Sequence, residues 1–284
     1  MERKTFIQGL LLTGMVPDLL TAKPGNSMKS KASIRLIRHA TLIVEINRMK
    51  ILVDPMLSPK DGMDPVQNCG NDTRFPMVEL PVSKEELTQI INEVDAIVIT
   101  HLHRDHWDMA AQQLIGKSKT IFCQPNDSAK IMEQGFTNVQ PINTVMEWQG
   151  LTINRTDGQH GTGEIGKKMG AVSGFVFSYK NDSIYVAGDT IWCGDVEKAL
   201  LQFKPAVTIL NAGGAKFLTG DPITMTAADI IKVYDALPAT KIIAVHMDTV
   251  NHCFIRRTDL SKALAERRLD TKILIPKDGE LINL

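Results

Sequence analysis

Three things are missing from this 284-residue chain, and each absence narrows what it can be. Its four cysteines, Cys69, Cys123, Cys193 and Cys253, are scattered with no CxxC pair, which argues against a cysteine-rich structural zinc site and makes reduced thiols the default. Thirty-two basic residues balance thirty-two acidic ones, so there is no general electrostatic grip on nucleic acid or on an anionic membrane, and no nucleic-acid partner is expected. A long apolar run is also lacking. The nearest approach, Phe6 to Leu20, is broken by Pro17 and Asp18 and is too short for a membrane span. With Glu2-Arg3-Lys4 before it and Ala22 after it, it reads either as a weak bacterial export signal or as a plain N-terminal extension. The address is therefore cytoplasmic or, if the signal is used, exported to the periplasm. No cysteine follows to carry a lipid, so no stable membrane anchor is expected. Lys23 to Ser33 reads as a polar linker. Residues 1–33 form an extension and 34–284 one folded domain.

What is present is concentrated in one stretch, Asp95 to Gly116. Ala96 to Thr100 is apolar and β-branched, as in a buried strand, and Trp107 to Leu114 has helical spacing that stops at Gly116. Between them lies His101-Leu102-His103-Arg104-Asp105-His106. In an extended segment His101 and His103 point the same way, because side chains alternate with period two. Where the backbone turns into the helix, Asp105 and His106 can reach a neighbouring point. Neutral imidazoles and a carboxylate so arranged suit two adjacent metal ions. A solvated polar loop is the bland alternative, and four ligand-type residues in six positions argue against it.

His101-x-His103-x-Asp105-His106 resembles the central motif of the metallo-β-lactamase fold superfamily of metallohydrolases. The resemblance implies an α/β fold, a four-layer αβ/βα sandwich with the site at one edge, where loops of two similar halves meet. It implies two divalent ions, zinc first, with Mn2+ or Fe2+ as alternatives. His160, in Asp157-Gly158-Gln159-His160-Gly161, would join His101 and His103 on the first ion. His246, after the strand Lys241 to Val245, would join Asp105 and His106 on the second. Asp189, in Gly188-Asp189-Thr190, resembles the family's bridging aspartate, and Asp54 sits where an aspartate braces the metal loops. His39-Ala40-Thr41 is similar to a tripeptide of the branch with ascorbate-6-phosphate lactonase and N-acylphosphatidylethanolamine phospholipase D, although Arg38 stands where that branch usually has Gly. His39 itself reads equally well as a hydrogen-bonded strand residue.

The remaining chain reads as strands and helices in alternation. Ser33 to Ile46, turning at Arg48-Met49 into Lys50 to Val53, predicts a hairpin; Met56 to Pro81 predicts a long irregular loop beside the site. Gly161 to Gly170 predicts a flexible loop on the pocket wall, Trp192 and Cys193 predict pocket lining, and Arg256, Arg257, Arg267 and Arg268 predict a solvated face. Thr224 to Ala236 predicts an amphipathic helix with Asp229 on its solvent side. The chemistry implied is a binuclear hydrolase using a bridging hydroxide on a small-molecule ester, lactone, amide or phosphodiester. Asp105 and His252 are the candidate catalytic residues, Asp105 to orient the nucleophile or handle a proton, His252 as a substrate contact, proton donor or simple loop residue. A di-iron redox protein on the same fold is the alternative, opposed by His103 and His106; a non-catalytic metal-binding protein is a third, opposed by the full ligand set. The sequence does not set the oligomeric state.

Overall fold

In a computed structural model, which describes residues 1–2 and 32–284, two seven-stranded mixed sheets face each other with helices on their outer surfaces. The export-like run Phe6 to Leu20 and most of the Lys23 to Ser33 linker lie outside the described residues. The first half supplies β1 (Ser33–Arg38), β2 (Thr41–Ile46), β3 (Met49–Val53), β4 (Ala96–Ile99), β5 (Thr120–Cys123) and β6 (Val139–Pro141). Its helices are α1 (Lys84–Glu93), α2 (Met109–Leu114) and α3 (Ser128–Glu133). The second half supplies β7 (Val145–Trp148), β8 (Leu151–Asp157), β9 (Ser173–Tyr179), β10 (Asp182–Val186), β11 (Val207–Asn211), β12 (Lys241–Val245) and β13 (Ile273–Leu274). Its helices are α4 (Gly163–Met169), α5 (Gly194–Phe203), α6 (Ala227–Ala236) and α7 (Arg257–Glu266), and β14 (Leu281–Asn283) closes the chain.

The two sheets have the same plan. Their orders are β14-β1-β2-β3-β4-β5-β6 and β7-β8-β9-β10-β11-β12-β13. In each, the first four strands pair antiparallel and the last three pairings are parallel. Alternation along the strands builds the layers. In β4, Ala96 and Val98 face the core between the sheets while Ile97 and Ile99 face α1, α2 and α3. In β12, Ile243 and Val245 face that central core while Ile242 and Ala244 face the opposite helical layer.

Several expectations change. Ser33 to Ile46 is not one strand: the chain reverses at His39-Ala40, so three strands replace the predicted two. The apolar pattern runs through that turn, which hid it. Gly161 to Gly170 is not a loop but contains α4, and Asp229 is not simply solvated: it is the third residue of α6 and closes a capping box with Thr226. Arg257 leaves the solvated face to pair with Asp248 at 3.0 Å and Asp278 at 2.5 Å. Arg256, Arg267 and Arg268 are exposed as predicted. Met56 to Pro81 is the long irregular connection expected, pinned by the fully buried Arg38, which donates to the carbonyls of Met56, Ser58 and Val78.

Candidate metal centre

The site is assembled at strand ends. β3 runs into Asp54, β4 into His101, β10 into Asp189 and β12 into His246, while the β1–β2 turn places His39 among them. His39, Asp54 and His246 adopt left-handed backbones, with φ of 60°, 44° and 69°. Such conformations are costly for residues with a Cβ and persist where the surroundings enforce them, commonly at functional sites. Gly188, before Asp189, has φ of 71°, and a Cβ there would lie 2.7 Å from the Ser173 carbonyl oxygen. Gly161 allows a similarly close pass beside Ile223, where a Cβ would meet a methyl at 2.7 Å. Both glycines let the chain turn tightly around the side chain next to them.

Hydrogen bonds on the outer side of the rings fix which nitrogens face inward. His160 Nδ1 lies 2.8 Å from the Ile223 carbonyl oxygen, which can only accept, so Nδ1 carries the proton and Nε2 a lone pair. His106 Nδ1 donates to Asp54 Oδ2 at 2.8 Å, so in the neutral ring Nε2 is the nitrogen that carries the lone pair. The Thr100 hydroxyl gives its proton to Asp54 Oδ2, so at 3.0 Å it must accept from His101 Nδ1. Three Nε2 lone pairs therefore converge. Those of His101 and His160 meet His103 Nδ1, at 2.9 Å and 3.3 Å. His106 Nε2 and His246 Nε2 stand 3.2 Å apart, and Asp189 spans the two sides: Oδ2 is 3.2 Å from His106 Nε2 and 3.6 Å from His160 Nε2, Oδ1 3.2 Å from His246 Nε2. Ligand atoms of His101, His103 and His160 lie within 4.8 Å of one another, as do those of His39, Asp105, His106 and His246. Inward-facing lone pairs and carboxylates without a matching set of donors suit divalent cations, so the donor set fits the metal that the motif implies.

The field of the site agrees. Burial opposes a charge on His106, yet Asp189, Asp105 and Asp54 hold its pKa well above that of an ordinary histidine. Burial likewise opposes a charge on His246, and Asp189, Cys253 and Asp105 together outweigh it and hold its pKa well above the ordinary histidine value. These carboxylates favour positive charge here, whether proton or metal. On the other side burial pushes His101 and His160 below the usual histidine range. Asp105 is held low despite its burial, chiefly by His106.

All seven predicted ligand residues are thus brought together. Asp54 braces them as expected. His39, read equally as a strand residue, instead enters the cluster: its Nε2 donates to Asp105 Oδ2 at 3.2 Å and its ring lies 3.6 Å, centre to centre, from His246. Burial, then His246, pushes its pKa down to about 3, so it is a neutral donor. His252 borders a cavity of about 340 Å³ with Val66, Gln67, Asn68, Met169, Phe217 and Ile223, and the cavity reaches His103, Asp105, His160 and Asp189. The predicted loop does border the site. Trp192 and Cys193 do not: both pack against the core beneath α5 and α6. Asn211, whose Nδ2 donates to Asp189 Oδ1 at 2.6 Å, was not foreseen. Nor was Gly161-Thr162-Gly163-Glu164-Ile165-Gly166, which has GxGxxG spacing but follows a strand paired antiparallel on both sides rather than opening a βαβ unit.

Comparison with known proteins agrees with the geometry. The family described as Beta-lactamase superfamily domain matches residues 50–247, well over half of the chain. The UPF0173 protein YddR of Bacillus subtilis is 35% identical over 252 residues, 87% of this chain and 98% of that protein. The crystal structure of a possible metal-dependent hydrolase from Veillonella parvula is 38% identical with a TM-score of 0.86, covering 89% of this chain and all of the other. An isothiocyanate hydrolase from Delia radicum gut bacteria is also 38% identical, with a TM-score of 0.84 and coverage of 89% and 99%. With its two matching seven-stranded sheets and its histidines and aspartates gathered at their strand ends, the chain belongs to the β-lactamase superfamily.

Proposed function

We propose that the protein is a hydrolase working with two divalent cations, zinc first among them. The observation that carries this reading is the convergence of inward lone pairs and two carboxylates, each ring nitrogen on the outer side of His101, His106 and His160 being held by another group. His101, His103 and His160 would hold one ion, Asp105, His106 and His246 the other, with Asp189 shared. Two such ions supply Lewis acidity and a water-derived nucleophile near neutral pH. Asp105 borders the cavity while His39 fixes its Oδ2, so its carboxylate is oriented to position water or accept its proton. His39, Asp54 and Asn211 hold the reacting groups in place.

The bond cleaved belongs to a small electrophile. The 38% identity to the isothiocyanate hydrolase supports the isothiocyanate carbon as the first centre to test. Esters, lactones, amides and phosphodiesters remain the comparison set. The test is metal analysis of protein purified without chelator, with turnover measured against benzyl isothiocyanate, a lactone, a phosphodiester and a β-lactam. About two zinc or manganese ions per chain with hydrolysis of one class is the expected result. Two iron ions with oxygen uptake, or no metal and no turnover, would overturn the reading.

A further inference from the structure

We propose that His252 is a substrate-contact residue, hydrogen-bonding the polar head of a small uncharged substrate whose apolar tail lies against Phe217, Met169, Ile223 and Val66. This rests on the hydrolase reading above and narrows its substrate class. His252 is 6% exposed and borders the cavity; its Nδ1 is sealed without a partner, and its Nε2, the nitrogen left accessible, makes no hydrogen bond to the described residues either. A buried polar nitrogen without a partner is unusual, because leaving it unmade is costly. A neutral imidazole has one donor and one acceptor nitrogen, and burial keeps this one neutral, with a pKa pushed down to about 4. The ring is backed by Phe217, 6.1 Å away centre to centre, so it is set in a packed wall.

The wall is itself anchored. Asn251, the preceding residue, accepts from the backbone N–H of Val66 at 2.9 Å and donates to the Val66 carbonyl at 3.1 Å. Asn71 in turn donates to the Asn251 carbonyl at 2.9 Å. The loop that supplies Val66 and the turn that supplies His252 therefore form one surface.

The cavity chemistry sets the substrate class. At about 340 Å³ it lies at the small end of the range for ligand sites. Its one cationic side chain among the described residues, Arg104, donates Nη2 to the Pro65 carbonyl at 3.0 Å and lies over the Phe75 ring at 4.8 Å. One arginine is no cluster of side-chain cations for a phosphate, whereas an uncharged head with a heteroatom suits the imidazole and an aliphatic or benzyl tail suits the apolar wall.

The experiment compares wild type with His252→Ala, His252→Gln, His252→Phe and Phe217→Ala, all metal-loaded. Turnover of benzyl and methyl isothiocyanate is measured, with calorimetric binding of phenylacetonitrile, a neutral probe with a linear head and a benzyl tail. Wild-type metal content should persist throughout. His252→Ala and His252→Phe should each lose at least tenfold in probe affinity and in kcat/KM, with His252→Gln recovering part of it. Phe217→Ala should raise KM for the benzyl substrate more than for the methyl one. Probe binding that depends on His252 without turnover of either substrate would support this contact while removing isothiocyanate hydrolysis. Unchanged affinity and kcat/KM in His252→Ala, or metal loss in both His252→Ala and His252→Phe, would overturn the proposal.

Discussion

The two sides of the metal centre are built differently. On the side of His101, His103 and His160 the residues other than the shared Asp189 are all imidazoles; His103 is half-buried, and two of the three border the cavity. On the other, His106 and His246 are completely buried, and they sit among Asp105, Asp189, Asp54 and His39. Desolvation lowers the affinity of the first side for any positive charge, whereas the carboxylates of the second overcome that penalty. The difference is one of charge: the second side concentrates carboxylates that favour a cation, and the first presents the His103 and His160 imidazoles to the cavity.

Asp189 belongs to both sides, so its removal is the largest break in this contrast. Asp189→Ala should lower kcat/KM by at least about a thousandfold, since in the proposed two-ion site it deletes a group both ions would share rather than one ligand of one ion. It should also take metal content below one ion per chain and leave Asn211 Nδ2 without its acceptor. Two retained ions with activity within tenfold of wild type would show that the sides do not share this residue.

A smaller effect sharpens the contrast through stability. His246→Ala leaves Asp105 and Asp189 buried without one of their closest positive partners, whereas His103→Ala removes a half-buried ring from the cavity wall. In urea denaturation of metal-free protein, His246→Ala should cost about 3 kcal/mol, as broken buried charge pairs do, and His103→Ala should cost about 1 kcal/mol or less. Equal costs would mean that the carboxylates are not balanced by His246. Working without metal matters here, because bound ions stabilise the folded state by mass action and would mask the difference.

How much of this was legible in the sequence depends on whether neighbours along the chain are neighbours in space. His101, His103, Asp105 and His106 lie within six residues, and the strands β4, β10 and β12 stand out as short apolar, β-branched runs, so the motif, the fold and the order of ligands could all be read. His39 could not. Its partners Asp105 and His246 are far away in sequence, and the left-handed turn that places it sits inside what reads as one continuous strand. Asn211 ends β11 like an ordinary polar residue, and only the parallel pairing of β11 with β10 brings it to Asp189. The direction taken after Asp189 was also hidden. Ile191 donates its backbone N–H to the Gln159 carbonyl, and the chain then carries Trp192 and Cys193 to the helical layer rather than to the cavity.

The smallest effects distinguish what braces the buried side. His246 has two neighbours behind it: the ring of His39 at 3.6 Å, whose carbonyl also accepts the His246 backbone N–H at 3.0 Å, and Cys253, whose Sγ is 3.6 Å from Nδ1. A thiol is a weak hydrogen-bonding group, whereas an imidazole donating to a carboxylate orients a prospective ligand directly. His39→Phe keeps a flat ring against His246 but removes the hydrogen bond to Asp105, and should lower metal affinity or kcat/KM about 10- to 100-fold. Cys253→Ala should change either by no more than about threefold, the backbone bond and the tilted His39 ring holding His246 in place. Metal titration of both variants by competition with a chelator reads the two effects on one scale. If Cys253→Ala were the more damaging, the thiol rather than His39 would set the orientation of His246, and the buried side would be braced through sulfur instead of through the Asp105 carboxylate.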